Sequence, residues 1–299
     1  MTQPISRVIT LQALTFLHPG SGQTTGVVDL PVQREVHSGH PMYASSGLKG
    51  SLRDKAERKW KGDAPQKVVT LFGSEAGAEA GKTTAGAVAV TDGRILAFPV
   101  RSLRKVFFWV TCPLVINRLL RDAKLIDLPL ADMAIIKTAP AEDEAWVRPE
   151  SGLTEGDTLI LEEISFRQVP DNRVKAVGDV VNKLTGSSGF DPTRLAIISD
   201  EDFTYFVEHA TQVSARIKLN DRKTTTGDGG NLWYEETLPP ETILYGFVLC
   251  HKPRTTMDGI TDAPAVESAL KKLCEDNYLQ IGGNETVGQG WCHLNLYKG

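Results

Sequence analysis

Cysteine is scarce in this sequence: Cys112, Cys250, Cys274 and Cys292 are all there is in 299 residues. None forms a C-x-x-C pair and none has histidine at zinc-ligand spacing. His251 and His293 adjoin cysteines, but neighbours in a strand point to opposite faces. That argues against a disulfide-built fold and a zinc finger, and predicts reduced, mostly buried thiols in a cytoplasmic protein. Long apolar runs are missing too. The most apolar stretch, Val106–Ile116, contains Pro113 and is too short to span a bilayer. MTQPISRV at the start has no apolar signal core, so no membrane partner is expected. Nor is there an excess of basic charge: the net formal charge is −4. Any nucleic-acid site must therefore come from local clustering.

What is present is an ordinary globular composition, 41% hydrophobic and 23% charged, enough for one elaborated domain or two small ones. Arg7–Leu17 alternates as a strand does, and His18-Pro19-Gly20 stops it. Pro31 demotes Val27–Val36 to an edge strand or an irregular segment. Ser45-Ser46 cap a predicted helix over Gly47–Lys59, with Leu48, Leu52 and Ala56 on its inner face. Asp92-Gly93, between alternating runs in Ala87–Val100, predicts a hairpin with a type I′ turn. Pro113–Ala123 and Asp200–Glu208 read as helices and Leu159–Ser165 as a strand; the rest of residues 124–200 has no clear period. Ala215–Leu219 and Leu232–Thr237 predict a long hairpin with the polar tip Asn220–Asn231. Strand Ile243–Cys250, helix Ala263–Asn277, strand Leu279–Gly283 and strand Trp291–Tyr297 close the chain. The order fits two βαβ-like halves, or a ferredoxin-like split βαβ fold of α+β class with a large insertion.

Three stretches could carry chemistry. AGAEAGKT (Ala76–Thr83) fits a loosened phosphate-loop pattern, in which Lys82 would make the protein a nucleotide-binding enzyme. A working phosphate loop needs a strand before it and a helix after it, and a hairpin pattern comes next here; the bland reading is a surface loop. IGGNETVGQGW (Ile281–Trp291) is rich in glycine between a helix and a closing strand. It is either an anion-binding nest of backbone N–H groups or a tight crossover that needs glycine for sterics. The predicted helix start SSGLKGSLRDKAERKWK places six basic and two acidic residues between Lys49 and Lys61. It is either a phosphodiester site at a helix N-terminus or a solvated face.

Together these pieces resemble the signature of the RAMP superfamily, the repeat-associated RNA-binding proteins of CRISPR systems. VDLPVQREVHSGHPMYASSGLKGSLRD carries the glycine/acidic loop and the helix start, Ser46-Gly47-Leu48-Lys49-Gly50 with Arg53. Gly282–Gly290 carries the C-terminal glycine loop. GRILAFPVRS (Gly93–Ser102) and LWYEETLPPETILYG (Leu232–Gly246) look more narrowly like the backbone subunit of the type III-B, or Cmr, effector complex. The resemblance covers both ends well and the middle poorly.

The resemblance implies a single domain over 1–299 with a ferredoxin-like, RNA-recognition-motif-like core from about 1–123 and 240–299. It implies a large insertion and a long thumb hairpin within about 124–239. Implied partners are CRISPR guide RNA, complementary target RNA, copies of itself and other effector-complex subunits. Ser46, Lys49, Arg53, Gly282, Gly283, Gly288 and Gly290 are the implied RNA-binding residues, reading backbone and shape. Target cleavage is assigned in this subgroup to an Asp before a Pro-x-Gln-Arg stretch, which is Asp29 here. It would accept a 2′-OH proton or hold a divalent cation, Mg2+ or Mn2+. Read from residues alone, Asp29 is a turn or strand-edge Asp that accepts backbone hydrogen bonds. His18, eleven residues earlier, could face the target phosphate, or is a loop residue beside Pro19. Glu235, on the return strand of the hairpin, could reach a neighbouring active site, or is an exposed edge charge. Family members carry Tyr two positions after that Glu; here it is Thr237. Trp233 and Tyr234 are stacking candidates or anchors. The alternative function is a structural filament subunit with no chemistry.

Overall fold

The computed structural model describes residues 3–60, 62, 64–74, 83–128, 130, 133–152, 158–186, 188–219, 224, 232–255, 257 and 259–298. The first part runs β1 (Ile5–Ala13), β2 (Met42–Tyr43), α1 (Ser45–Trp60), α2 (Pro65–Phe72), β3 (Val88–Val90), β4 (Gly93–Arg101), β5 (Phe107–Thr111) and α3 (Pro113–Leu125). The middle adds β6 (Glu144–Val147), β7 (Thr158–Leu161), β8 (Ile164–Pro170), α4 (Asn172–Thr185), β9 (Leu195–Ile197) and α5 (Asp200–His209). Then come β10 (Gln212–Ile217), β11 (Leu232–Thr237), β12 (Ile243–Cys250), α6 (Ala263–Leu273), β13 (Tyr278–Gln280) and β14 (Trp291–Tyr297). The class is α+β, with one mixed sheet in the order β13-β14-β1-β12-β4-β5-β9-β6-β8-β7 and a separate β10-β11 pair.

β1 is buried from Arg7 to Ala13 because it lies between β14 and β12, antiparallel to both. Its side chains alternate. Arg7 pairs with Glu267 on α6, so Ile9, Leu11 and Ala13 share the face toward α6. α4 packs on β1 and β14, and Asn295 Nδ2 donates to its Leu184 carbonyl at 2.8 Å. Helices therefore cover both faces of the strand, which is why even Thr10 and Gln12 are buried. On α1, Leu48, Leu52 and Ala56 are buried, at the i, i+4 spacing of one helical face. Among the described residues no helix is long and apolar enough to cross a membrane. All four cysteines are free and buried.

Two expectations change. Ala87–Val100 is not a hairpin. β3 and β4 both pair with β12, one beyond the other along the same strand. Neither Asp92 nor Gly93 has the positive φ that a type I′ turn needs. Asp92 serves α1 instead. Its carboxylate accepts the Ser45 N–H at 2.7 Å and so caps the helix, which begins at Ser45 itself. The aperiodic middle of the chain is also ordered into strands. Beyond β5, the strands β9, β6, β8 and β7 extend the large sheet, through parallel β5–β9 and β6–β8 pairs and an antiparallel β6–β9 pair. The helix α2 has no counterpart among the expected elements. Most of the predicted phosphate loop and of the hairpin tip lies outside the described residues. The phosphate-loop stretch leads into a bridge at Ala85 and then β3, not into a helix.

Candidate active site and nucleic-acid interface

Strand β11 organises one corner of the molecule. Leu30 N–H donates to the Tyr234 carbonyl at 3.0 Å, and Glu236 N–H donates to the Leu30 carbonyl at 3.0 Å. Asp29 is half-buried, and its Oδ2 accepts the Tyr234 N–H at 2.7 Å. The ladder goes no further along β11, because the Glu236 carbonyl, the next acceptor, is taken by His18 Nδ1. The next donor, Val32 N–H, goes to the Glu236 carboxylate at 2.9 Å instead. Asp29 Oδ1 has no hydrogen-bond partner among the described residues. The arrangement presents one immobilised carboxylate oxygen and one available to a ligand.

Glu235 is not the exposed edge charge that the strand position suggested. It is 3% exposed, and its Oε1 accepts from Arg216 Nη2 at 2.7 Å, Arg216 Nε at 3.1 Å and Asn284 Nδ2 at 2.8 Å. It ties the β10–β11 pair to the C-terminal glycine loop. His18 is buried as well. Its Nδ1 lies 2.7 Å from the Glu236 carbonyl, which fixes Nδ1 as the protonated nitrogen. Thr237 is buried, Trp233 half-buried and Tyr234 exposed.

The glycine loop folds over His18. Gly283 N–H donates to the His18 carbonyl at 3.0 Å. Gly282 has φ 75°, and a Cβ there would lie 2.5 Å from the same carbonyl oxygen. Gly290 has φ 81°, and a Cβ would sit 2.0 Å from the Ile281 oxygen. Gly288 also needs a positive φ but borders open space. The N–H groups of Gly282, Gly283, Gly288 and Gly290 all donate within the chain, to Tyr43 Oη and to the carbonyls of His18, Glu285 and Phe16. Sterics and packing therefore account for Gly282 and Gly290. None of these four glycines offers a free N–H donor, and only Gly288 borders open space.

Tyr43 links this loop to α1. Its hydroxyl accepts from Gly282 N–H at 3.1 Å and lies 3.3 Å from Ser51 Oγ. Its ring covers Gly47, where a Cβ would stand 2.9 Å from Cζ. Ser46 is exposed at the helix start. Lys49 is half-buried and has no hydrogen-bond or ion-pair partner among the described residues. Burial and the neighbouring Arg53 hold its ammonium below the usual lysine range. Arg53 itself is engaged inside the chain, with Glu57 at 2.7 Å and the Gly73 carbonyl at the end of α2 at 2.8 Å. Lys55, Arg58 and Lys59 are paired with Asp276, Glu285 and Glu275.

The residues after Asp29 are anchored to the other side. Arg34 reaches Glu236 at 2.5 Å, the Gly39 carbonyl at 2.8 Å and the Val207 carbonyl on α5 at 2.9 Å. Glu35 is buried; burial alone would raise its pKa, but hydrogen bonds from Arg118 and Ser38 hold it below the usual carboxylate range. His40 is fully buried, and burial, with Arg118 beside it, pushes its pKa down to about 4. Sequence reasoning does not single out Glu236, Arg34, Tyr43 or Asn284. The one local signal is the Glu235-Glu236 doublet, since consecutive strand residues face opposite ways.

The family model described as RAMPs, RAMP superfamily, matches residues 10–293. The chain belongs to the RAMP superfamily. This RAMP protein is 37% identical over 300 residues to the CRISPR system Cmr endoribonuclease Cmr4 of Pyrococcus furiosus, covering 97% of this chain and 95% of the relative. Its fold is similar to the crystal structure of oligomeric Cmr4 from Pyrococcus furiosus: TM-score 0.73, 29% identity, 99% of this chain and 98% of the other. The same fold recurs in the cryo-EM structure of the type III-B Cmr-beta complex bound to cognate target RNA. That match has TM-score 0.72 and 21% identity, and covers 98% of both chains.

Proposed function

We propose that this RAMP-superfamily chain is a guide-RNA-binding backbone subunit of a type III-B, Cmr-type CRISPR effector complex, and that it cuts complementary target RNA. The observation that carries the proposal is identity of 37%, sustained along 97% of the chain, to a relative named as an endoribonuclease. A ferredoxin-like core from about 1–123 and 240–299 is supported by the antiparallel order β14-β1-β12-β4, with α1 following β1 and α6 following β12. The thumb is the β10–β11 hairpin, which pairs outside the large sheet. The insertion is the remainder of about 124–239, within a single domain. Its partners are guide RNA, target RNA, copies of itself and other subunits of the complex, and its free cysteines suit the cytoplasm.

Cleavage is assigned to Asp29. The target 2′-OH attacks the adjacent phosphorus, the P–O bond to the 5′-oxygen of the next nucleotide breaks, that oxygen takes a proton from water, and a 2′,3′-cyclic phosphate remains. Asp29 accepts the 2′-OH proton through the carboxylate oxygen that the Tyr234 N–H does not hold. A lone carboxylate is a weak base, so fixed position supplies most of the acceleration. A divalent cation, Mg2+ or Mn2+, fits only as one shared with the RNA. No group of three ligating side chains occurs among the described residues, but such hard cations accept one carboxylate together with phosphate oxygens and water. Asp29 would hold it, and it would neutralise charge on the phosphate. Glu235 and His18 act from behind, holding the glycine loop and β11 against the Asp29 loop. Ser46 and Lys49 take the guide backbone, with Arg53 shaping that helix; Gly282, Gly283 and Gly290 shape the loop around His18, and Gly288 borders the open space in which the RNA would lie.

Asp29→Asn in the assembled complex tests this. The expected result is retained guide and target binding with cleavage slowed by at least about 100-fold, the lower end of general-base effects. Cleavage at the wild-type rate would mean that this subunit is not the nuclease through Asp29, and would favour the structural filament reading.

A further inference from the structure

Glu236 is one residue beyond the candidate site and faces the other way. It is 6% exposed and accepts three hydrogen bonds, from Val32 N–H at 2.9 Å, Arg34 Nη2 at 2.5 Å and Thr211 Oγ1 at 2.9 Å. Its main chain takes two more, donating to the Leu30 carbonyl and accepting from His18 Nδ1. We infer that Glu236 and Arg34 are positioning residues that set where the Asp29 carboxylate stands. The inference rests on the reading of Asp29 as the catalytic residue.

The bonding around Asp29 shows why the loop needs such a clamp. Residues 19–33 are bonded largely to themselves. Ser21 N–H meets the Pro31 carbonyl, Thr24 N–H meets the Asp29 carbonyl, and Gln33 N–H meets the Pro19 carbonyl. Those bonds keep the loop's shape but do not fix it to the body of the molecule, and much of its outer arm is exposed. Tyr234 and Leu30 supply one attachment, and the ladder ends there because His18 Nδ1 occupies the Glu236 carbonyl. The Glu236 carboxylate replaces the missing rung by taking Val32 N–H directly. It also holds Arg34, whose planar fork reaches β11, the loop at Gly39 and α5 at once. Asp29 is therefore held on β11 at two points, the Tyr234 backbone and the Glu236 side chain, while Gln33 ties the end of the loop to Met42 and Ala44. A displacement of about 1 Å at a reacting group can cost about 100-fold in rate.

The test uses the assembled complex with guide RNA, and separates the single-turnover cleavage rate at saturating target from target affinity. Glu236→Ala removes the acceptor for Val32 and the charge for Arg34. The expected result is a rate about 100-fold lower, with the target Kd within about twofold of wild type. Glu236→Gln keeps an acceptor for Val32 but loses the ion pair, and is expected to cut about tenfold more slowly, a partial rescue. Arg34→Met combined with Glu236→Gln is expected to cost no more than the worse single change, because both report one contact. If Asp29→Asn is inactive while the Glu236 variants cut at the wild-type rate, the positioning role is wrong and the assignment of Asp29 stands. A loss seen only in target Kd would equally overturn it. If Asp29→Asn cuts at the wild-type rate, the catalytic reading falls and takes this inference with it. Should Glu236→Ala fail to assemble, Glu236→Gln decides alone: a rate within about twofold of wild type overturns the role.

Discussion

Strand β11 and helix α1 both bring charge to the glycine loop, and they use it in opposite ways. On β11 the two consecutive carboxylates are buried and every close cation is already attached. Glu235 holds Arg216 and Asn284, and Glu236 holds Arg34. On α1 the basic residues from Arg53 onward are likewise paired, yet Lys49 in the first turn has no partner among the described residues, although it is half-buried. A buried carboxylate with its hydrogen bonds made is scaffold. A partly desolvated ammonium with none made is a place where an external anion improves the electrostatics. The Asp29 oxygen with no partner among the described residues is the acidic counterpart of Lys49, held by the scaffold but not consumed by it.

The largest effect that would sharpen this contrast is at Glu235. Glu235→Ala leaves the Arg216 guanidinium and the Asn284 amide without their shared acceptor. Breaking a buried pair on one side costs about 3 kcal/mol, which lowers the melting temperature of a chain this size by roughly 5 °C. Thermal unfolding of the purified chain measures it. If stability is unchanged while target cleavage is lost, Glu235 belongs with Asp29 in the chemistry, and β11 is not only a scaffold.

The contrast is only partly legible in the sequence. Local periodicity is enough for β12 at Ile243–Cys250, for β14 at Trp291–Tyr297 and for the inner face of α1, because burial there follows a pattern within one element. It fails at β6 and β9, which are four and three residues long and give too few positions to show a period. It also passes over α4, although Val174, Val177, Val181 and Leu184 repeat along one face and Asp171 caps it. Valine is enriched in strands, and that composition masks the helical spacing. Asp92-Gly93 misleads because a cap to Ser45, 47 residues away, outweighs the local turn preference. The site divides along the same line. Asp29 is proposed through motif resemblance, whereas the bond from Val32 to Glu236 joins residues 204 apart in sequence, which no local pattern reports. Arg53 carries its charge in plain view, but that it binds the Gly73 carbonyl is visible only in three dimensions.

A smaller effect separates packing from conformational freedom in the loop between the two regions. Gly282→Ala must adopt a left-handed φ and also place its Cβ 2.5 Å from the His18 carbonyl, so it is expected to cost about 2–3 kcal/mol. Gly288→Ala faces the same φ in open space and is expected to cost about 1 kcal/mol. The difference in unfolding free energy between the two variants measures the contact with His18. Equal costs would mean that the loop does not bear on His18, and the link from α1 through Tyr43 to β11 would be broken.

The smallest effect tests α1 directly. Lys49→Met removes an ammonium that nothing in the described chain neutralises, so the free protein is expected to melt no lower than wild type. Binding of guide RNA should instead weaken by about fivefold, on the order of 1 kcal/mol, whatever the guide sequence, because a phosphate contact carries no base information. The slope of log affinity against log salt should become shallower by about 0.7, the share of one phosphate on a single strand. Arg53→Met is the control with the opposite pattern. It releases the Gly73 carbonyl and Glu57, so it should lower the melting temperature, with a salt slope changed less than in Lys49→Met. A salt titration of guide binding on both variants decides the matter. If Arg53→Met flattens the slope and Lys49→Met does not, the free charge on α1 has been assigned to the wrong residue.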